Sequence, residues 1–526
     1  MVPGSGRQRP LGPVRAVARQ PRFGHPVLAR AAAGRLNPMP AADAVIVGAG
    51  PNGLAAAVTL ARAGLSVEVY ERADRIGGGT RTEELTLPGY LHDTCSAVHP
   101  MAFAAPFFQA FGLPQRVDFV TPEVSFAHPL DGGRAGIAYH DLERTVAELG
   151  ADGPRWAGLL RPFIRTPRAV AEFTGGTLLR IPRHPIPFAR FGLATVEQGT
   201  PAWNLRWREE IAPAMLTGVM AHAVQPLPSL GAAAAGLALT IHAHVEGWPI
   251  PIGGSQRIAE ALADDLVRHG GRIETGREVR AVEELPAARA VLFDTSARDM
   301  ARIAGSRLPA GYRARLRRFR YGNAVAKVDF ALSGPVPWAN QEVRRAGTIH
   351  LGGTREEIAY AEREVAAGRH PVRPYVLVSQ PSVFDPTRAP AGHGTLWTYT
   401  HVPKYSNVDP TEGIVRQIER FAPGFRDVVV ASSASTALEV EAHDPNYVGG
   451  DVASGSGDFL QLLARPTLSP DPWRTPGKGI YLASASAAPG PGVHGQAGWN
   501  AALSALRHEF GIRRAPDLSP TGGDGE

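Results

Sequence analysis

Cys95 is the only cysteine in a chain of 526 residues. That excludes an internal disulfide, a Cys-x-x-Cys redox pair and any cysteine-built metal cluster, so redox chemistry would have to come from a bound group. Long apolar runs are missing as well. The longest, Leu230 to Ile241, falls well short of the ~20 residues that cross a bilayer, and it predicts a buried helix. Lysine is scarce, with Lys327, Lys404 and Lys478 the only three among 55 basic residues. Acidic residues are absent from the first forty positions, which hold Arg7, Arg9, Arg15, Arg19, Arg22, Arg30 and Arg35. The formal charge of +6 therefore belongs to one end, and a near-neutral body argues against a nucleic-acid partner. No histidines and acids recur at metal-ligand spacing, so no metal is expected.

What is present fits a packed globular body: 44% hydrophobic residues and 20% charged. The length exceeds a single core and predicts two interleaved domains. Residues 1–42 are expected to be a disordered extension or the result of a start assigned too early, with Met39 as the true first residue. Residues 513–526 are expected to be a disordered tail.

Chemistry enters at Ala44-Val-Ile-Val47, a buried parallel-strand run. It is followed at once by Gly48-Ala-Gly50-Pro51-Asn52-Gly53 and a helix over 54–63. Gly48 permits the sharp turn, Gly50 lets the backbone approach a diphosphate, and Gly53 lets helix and strand pack closely, with the helix start facing the anion. Gly64 ends the helix and Leu65 to Tyr70 reads as a second strand. Glu71 then stands 18 residues beyond Gly53, where a ribose-binding acid belongs. A carboxylate there favours FAD or NAD over NADP.

The next stretch, Arg72-Ala-Asp-Arg75-Ile-Gly77-Gly78-Gly79-Thr80-Arg81, resembles the glycine-doublet segment of glutathione-reductase-like flavoproteins. Gly77 and Gly78 match that pattern; Gly79 stands where its arginine usually is, and Arg81 comes two places late. Further on, Leu87-Pro-Gly-Tyr90, Pro251-Ile-Gly253-Gly254, Tyr321 to Asp329, Asn446 to Asp451 and Gly479 to Asn500 resemble the phytoene desaturase-like flavoproteins. Within these the likeness is nearest to the subgroup named pyridine nucleotide-disulfide oxidoreductase domain-containing protein 2. The resemblance runs from Ala44 to about Phe510.

It implies an α/β fold: a glutathione-reductase-like Rossmann FAD-binding domain, assembled from 43–110, 250–300 and 475–512, with an inserted α+β substrate domain over 111–249 and 301–474. Helices over 211–224 and 230–245 are expected to wall a chamber, and strands are expected over 324–332 and 375–380. FAD is the implied cofactor. Arg72, Gly77, Gly78, Gly79, Thr80 and Arg81 would lie beside its diphosphate, and a strand at Glu278-Val279 would meet the adenine. At the other end a strand over 480–483, a glycine-rich turn over 489–498 and a helix over 499–510 would aim a helix start at the flavin ring, through Gly490, Gly492, Val493, His494 and Gly495.

Two catalytic residues are implied. Lys327, on a strand similar to the lysine-bearing strand of flavin amine oxidases, would hold a water at flavin N5. An exposed strand-end lysine is the plainer reading of the same residue. His494 would relay a proton or bond the ring. The implied enzyme is a phytoene dehydrogenase-like FAD-dependent oxidoreductase that transfers hydride from an apolar, lipid-like substrate to flavin N5. A flavin amine oxidase-like enzyme and a flavin-binding regulatory protein are the alternatives. A cytoplasmic location is expected, with peripheral membrane contact left open.

Overall fold

The computed structural model describes residues 42–520, so the expected extension up to residue 41 and the last six residues lie outside it. Alanine and β-branched residues in Ala42–Val47 form the middle strand of a five-stranded parallel sheet. Its order is Ile480–Leu482, Ala288–Phe293, Ala42–Val47, Val67–Tyr70, Arg272–Glu274. Both faces are covered, as near-continuous apolar strands require. Helix Pro51–Arg62 follows the first strand, and helix Gln496–Glu509 packs against it so closely that a Cβ on Gly498 would lie 1.7 Å from the Asn52 carbonyl oxygen.

A seven-stranded sheet forms the second layer, in the order 429–435, 324–332, 394–402, 376–379, 346–351, 124–129, 135–139. All its pairs are antiparallel except 346–351 with 124–129. Alternation splits its residues between two faces. Val328, Phe330, Ile349, Leu351, Val376, Val378 and Leu396 pack against Ile414, Ile418 and Phe421 of helix Thr411–Phe421. The opposite face carries Lys327, Asp329, Thr348, His350, Ser379, Trp397 and Tyr399. Helices Ile211–Met220 and Leu230–Val245 pack together in a further apolar cluster.

Several expectations are corrected here. The helix expected to reach Val224 ends at Met220, because the chain tightens to a 3-10 turn over Ala221–Ala223 and Val224 takes φ +51°. Residues 278–279 belong to no strand, because the chain leaves the sheet after Glu274. The closing helix begins at Gln496, three residues earlier than expected. In the expected tail, Leu518 is 2% exposed within the core under the parallel sheet, and its carbonyl accepts a bond from Arg116 Nη2 at 3.3 Å.

Candidate active site

A cavity of about 400 Å³ starts at the carboxyl ends of the parallel strands and reaches the polar face of the large sheet. Open α/β sheets bind ligands outside the carboxyl ends of strands at the point where strand order reverses, here beside Ala42–Val47. The first end is lined by Gly48, Gly50, Pro51, Asn52, Glu71, Arg72, Gly78, Gly79, Arg81 and Val279. Side chains have no room in this turn. A Cβ on Gly48 would lie 2.5 Å from the Asp294 carbonyl oxygen, and one on Gly50 2.7 Å from Asp294 Oδ2. Glu71 is fixed by two backbone donors, Ala49 N–H to Oε2 and Ala73 N–H to Oε1, each 2.8 Å. Asn52 Oδ1 is buried without a hydrogen-bond partner, an orphan that a ligand donor would satisfy. A glycine cradle, a helix start and an anchored acid together fit a dinucleotide.

Gly79 now has a physical reason. A Cβ there would lie 2.1 Å from the Tyr447 hydroxyl, so that hydroxyl occupies the space a side chain would need. Arg81 instead donates from Nε to the Gly78 carbonyl at 3.2 Å and meets His443 Nε2 at 2.8 Å. Gly53, Gly77, Thr80, Gly490 and Gly495 shape the walls without lining the cavity. Thr80 Oγ1 donates to the Gly77 carbonyl, and Gly495, at φ +65°, caps the closing helix against Phe107.

Midway along, Gly492 and Val493 face the cavity with Ser484, Ala485, Ser454 and Tyr447. His494 does not. It is buried beneath them, its Nδ1 accepts the Gln496 N–H at 3.1 Å, and burial lowers its imidazole to about 4. The first amide of the closing helix is thus spent within the chain, and the residues before the helix form the wall. The far end is aromatic and aliphatic: Ala97, Val98, Leu239, Trp248, Leu377, Trp397 and Tyr399, with His222, Thr348 and Ser379 as its polar members. Trp397 and Tyr399 meet edge to face at 5.2 Å. His222 Nε2 lies 2.8 Å from His350 Nε2, and burial lowers the His222 imidazole to about 3.

Lys327 is neither at a strand end nor exposed. It sits inside strand Ala324–Leu332, is 6% exposed, and pairs with Asp329. It lines a second cavity of about 100 Å³, whose walls Cys95, Trp397, Tyr399, His443, Tyr447 and Val452 are shared with the larger one. Lys327 therefore stands beside the chamber, on the same sheet face as Trp397 and Tyr399. Burial lifts the Asp329 carboxyl to about 6, against the pull of Lys327. Among the described residues no group of three or more histidines, cysteines or acids could hold a metal.

Sequence reasoning missed Asp294, the segment 443–447, Cys95 to Pro100, and the pair Trp397 and Tyr399. Two of these carried a signal: Asn446 and Tyr447 stand in the stretch Asn446 to Asp451 that bears the resemblance, and Asp294 is the acid that follows the apolar run Val291-Leu-Phe.

Residues 46–110 match the model of the NAD(P)-binding Rossmann-like domain. The chain thus carries a Rossmann-like dinucleotide-binding domain over these residues. The chain is 24% identical to rat pyridine nucleotide-disulfide oxidoreductase domain-containing protein 2, over 89% of this chain and 94% of that one. It is 26% identical to the all-trans-zeta-carotene desaturase of Myxococcus xanthus, over 85% and 90% respectively. Its fold is similar to that of a putrescine oxidase solved with putrescine bound, with a TM-score of 0.58 at 19% identity, covering 89% of this chain and 99% of that structure.

Proposed function

We propose that this oxidoreductase binds FAD along the large cavity and dehydrogenates an apolar, lipid-like substrate held at its far end. The observation that carries the reading is the continuity of one cavity, from a dinucleotide cradle at Gly48 to Asn52 to an aromatic and aliphatic chamber at Leu239, Trp248 and Trp397. Gly48, Gly50, Pro51 and Asn52 would take the diphosphate, Glu71 the ribose, Val279 the adenine side, and Gly492 with Val493 the ring. When bound there, FAD supplies a two-electron acceptor. The chain's own part is to exclude water with Trp248, Leu377 and Trp397 and to orient the substrate through His222. Lys327, beside the chamber, is a positioning residue paired with Asp329.

A similarity of fold to putrescine oxidase raises amine oxidation as the rival. Two features weigh against it at the chamber end. Trp397 and Tyr399 pack edge to face and leave no slot between parallel rings. No carboxylate stands among the chamber residues to pair with an ammonium.

We also propose peripheral membrane contact, supported by the acid-free stretch 173–196. It exposes Ile181, Ile186, Leu193 and Val196 beside Arg183 and Arg190. No helix among the described residues is long and apolar enough to cross a membrane. The test of the enzymatic reading is anaerobic. Purified yellow protein is mixed with long-chain alkenes, isoprenoids and polyamines, and the flavin absorbance is followed. Bleaching by an apolar compound is expected. Bleaching by polyamines alone would overturn the dehydrogenase reading, and colourless protein that takes up no FAD would overturn the cofactor.

A further inference from the structure

The helix start that would receive a diphosphate already faces a carboxylate of this chain. Asp294 follows strand Ala288–Phe293, directly beside the first strand, and lines the cavity at 8% exposure. Its Oδ2 accepts the Gly53 N–H at 2.8 Å, so one of the amides at the helix start is taken. Two more acids bear on it, Glu71 and Asp444, and both line the same cavity. Glu71 is held by Ala49 and Ala73, and Asp444 Oδ1 accepts the Asn446 N–H at 3.0 Å. The other charged or titratable side chains lining this end are Tyr70, Arg72, Arg81, Arg277, Glu278, Asp299, Arg302 and His443, with Cys95 and Tyr447 further in. Arg81 is turned to the Gly78 carbonyl and His443, and Arg277 to Glu274. Among the described residues no hydrogen bond or ion pair joins Asp294 to a basic group.

A carboxylate and a diphosphate cannot both sit ionised at one helix start without strong repulsion, because a nearby like charge in a buried site disfavours ionisation. We propose that Asp294 binds the cofactor as the neutral acid: Oδ2 keeps the Gly53 amide while the carboxyl proton is offered to the phosphate side of the turn. This rests on the FAD reading above. The balance is simple: wherever the free carboxyl is ionised, binding takes one proton from solution onto Asp294, and no electrons move. Burial first, then Asp444 and Glu71, lift the free carboxyl to about 8 against the pull of the Gly53 and Gly50 amides. Affinity is therefore fully present below that pH and is lost as pH rises through it.

The experiment titrates full-length, flavin-stripped protein with FAD, following flavin fluorescence from pH 7 to pH 9.5. Calorimetry at pH 7 and pH 9 in two buffers of different ionisation heat counts protons. For the wild type, Kd should hold steady to about pH 8 and then rise toward about tenfold per pH unit, with uptake approaching one proton at pH 9 and near none at pH 7. Asp294→Asn keeps an amide oxygen for Gly53 N–H and should bind with a flat pH profile, more tightly than wild type at pH 9.5. A flat wild-type profile without proton uptake at pH 9 overturns the proposal, and so does an Asp294→Asn variant that keeps the slope. The wild-type calorimetry decides even where the variant fails to fold. FAD bound with no pH dependence removes the role of Asp294 alone, whereas no FAD binding at any pH removes the cofactor reading and this proposal together.

Discussion

Lys327 shows how a single residue's surroundings set its consequences. Its ammonium is buried with the Asp329 carboxylate and lies 5.5 Å from the centre of the Trp397 ring, with His92 Nδ1 3.7 Å from the other carboxylate oxygen. Removing one partner of a buried pair strands the other, at about 3–5 kcal/mol, whereas replacing both by apolar groups is often neutral. Lys327→Met should therefore lower stability by roughly that amount in urea unfolding, and Lys327→Met with Asp329→Leu should recover most of it. The double variant also separates stability from chemistry. If it is stable and turns over at the wild-type rate, the positioning role of Lys327 falls. The strand pattern and the rarity of lysine made this residue legible in the sequence. Its burial was not, because the strands on either side, Gly394–Val402 and Val429–Ser435, come from 62 or more residues further along. The contact of Asp294 with Gly53 was hidden for the same reason, since the two lie 241 positions apart.

At the scale of elements, glycine spacing carries the argument. Gly498 was readable as part of a flexible turn, since glycine ordinarily marks one. It lies instead inside helix Gln496–Glu509, where the absence of a side chain lets that helix touch the Asn52 carbonyl. Gly498→Ala should force the two helices apart, at about 1–3 kcal/mol or more, and shift Asn52 at the cavity wall. The expected readouts are a lower melting temperature and weaker FAD retention on gel filtration. Gly311→Ala is the contrast. Gly311 lies in helix Ala310–Arg317 with nothing within 4 Å of an added Cβ. That change should be neutral or stabilise by up to ~1 kcal/mol. A Gly498→Ala protein as stable as wild type would mean the close approach does not govern packing. Local periodicity made strand Ala324–Leu332 and helix Leu230–Val245 legible to the residue. Strand order was not legible, because pairing between Ala42–Val47 and Ala288–Phe293 is decided by tertiary packing that no local window contains.

Across the described residues the molecule combines an acid-sensitive interior with an apolar outer face at 181–196. His92, His99, His128, His242, His244, His350 and His494 are all buried, and burial lowers each imidazole, to about 3 or 4 where a value is resolved. A base with a depressed folded pKa gives stability that is present above its ordinary value near ~6.5 and is lost as pH falls through that value toward the folded one. Each can cost up to ~1.4 kcal/mol per pH unit, against a total of roughly 5–15 kcal/mol for a domain. Asp294 and Asp329, raised to about 8 and about 6, work the other way but are outnumbered. Thermal melts should fall steeply below about pH 6.5 and, through Asp294, decline gently from there to about pH 8, and a melting temperature unchanged at pH 4.5 would refute the account. The outer face is a separate matter. Helix Pro185–Gln198 turns Phe191 and Ala194 inward yet leaves Ile186 66% and Leu193 72% exposed, so it is apolar on both sides. Such a helix has no reason to stay in water unless its outer side meets an apolar phase, and Arg183 and Arg190 favour one rimmed with anionic headgroups. Full-length protein should therefore sediment with vesicles containing anionic lipid more than with zwitterionic ones. Ile186→Asp with Leu193→Asp should cut that binding at least tenfold, while stability stays within about 0.5 kcal/mol for each exposed change. Protein that ignores both vesicle types, or that buries this face in a stable dimer by light scattering, would place the apolar helix against itself and not against a membrane.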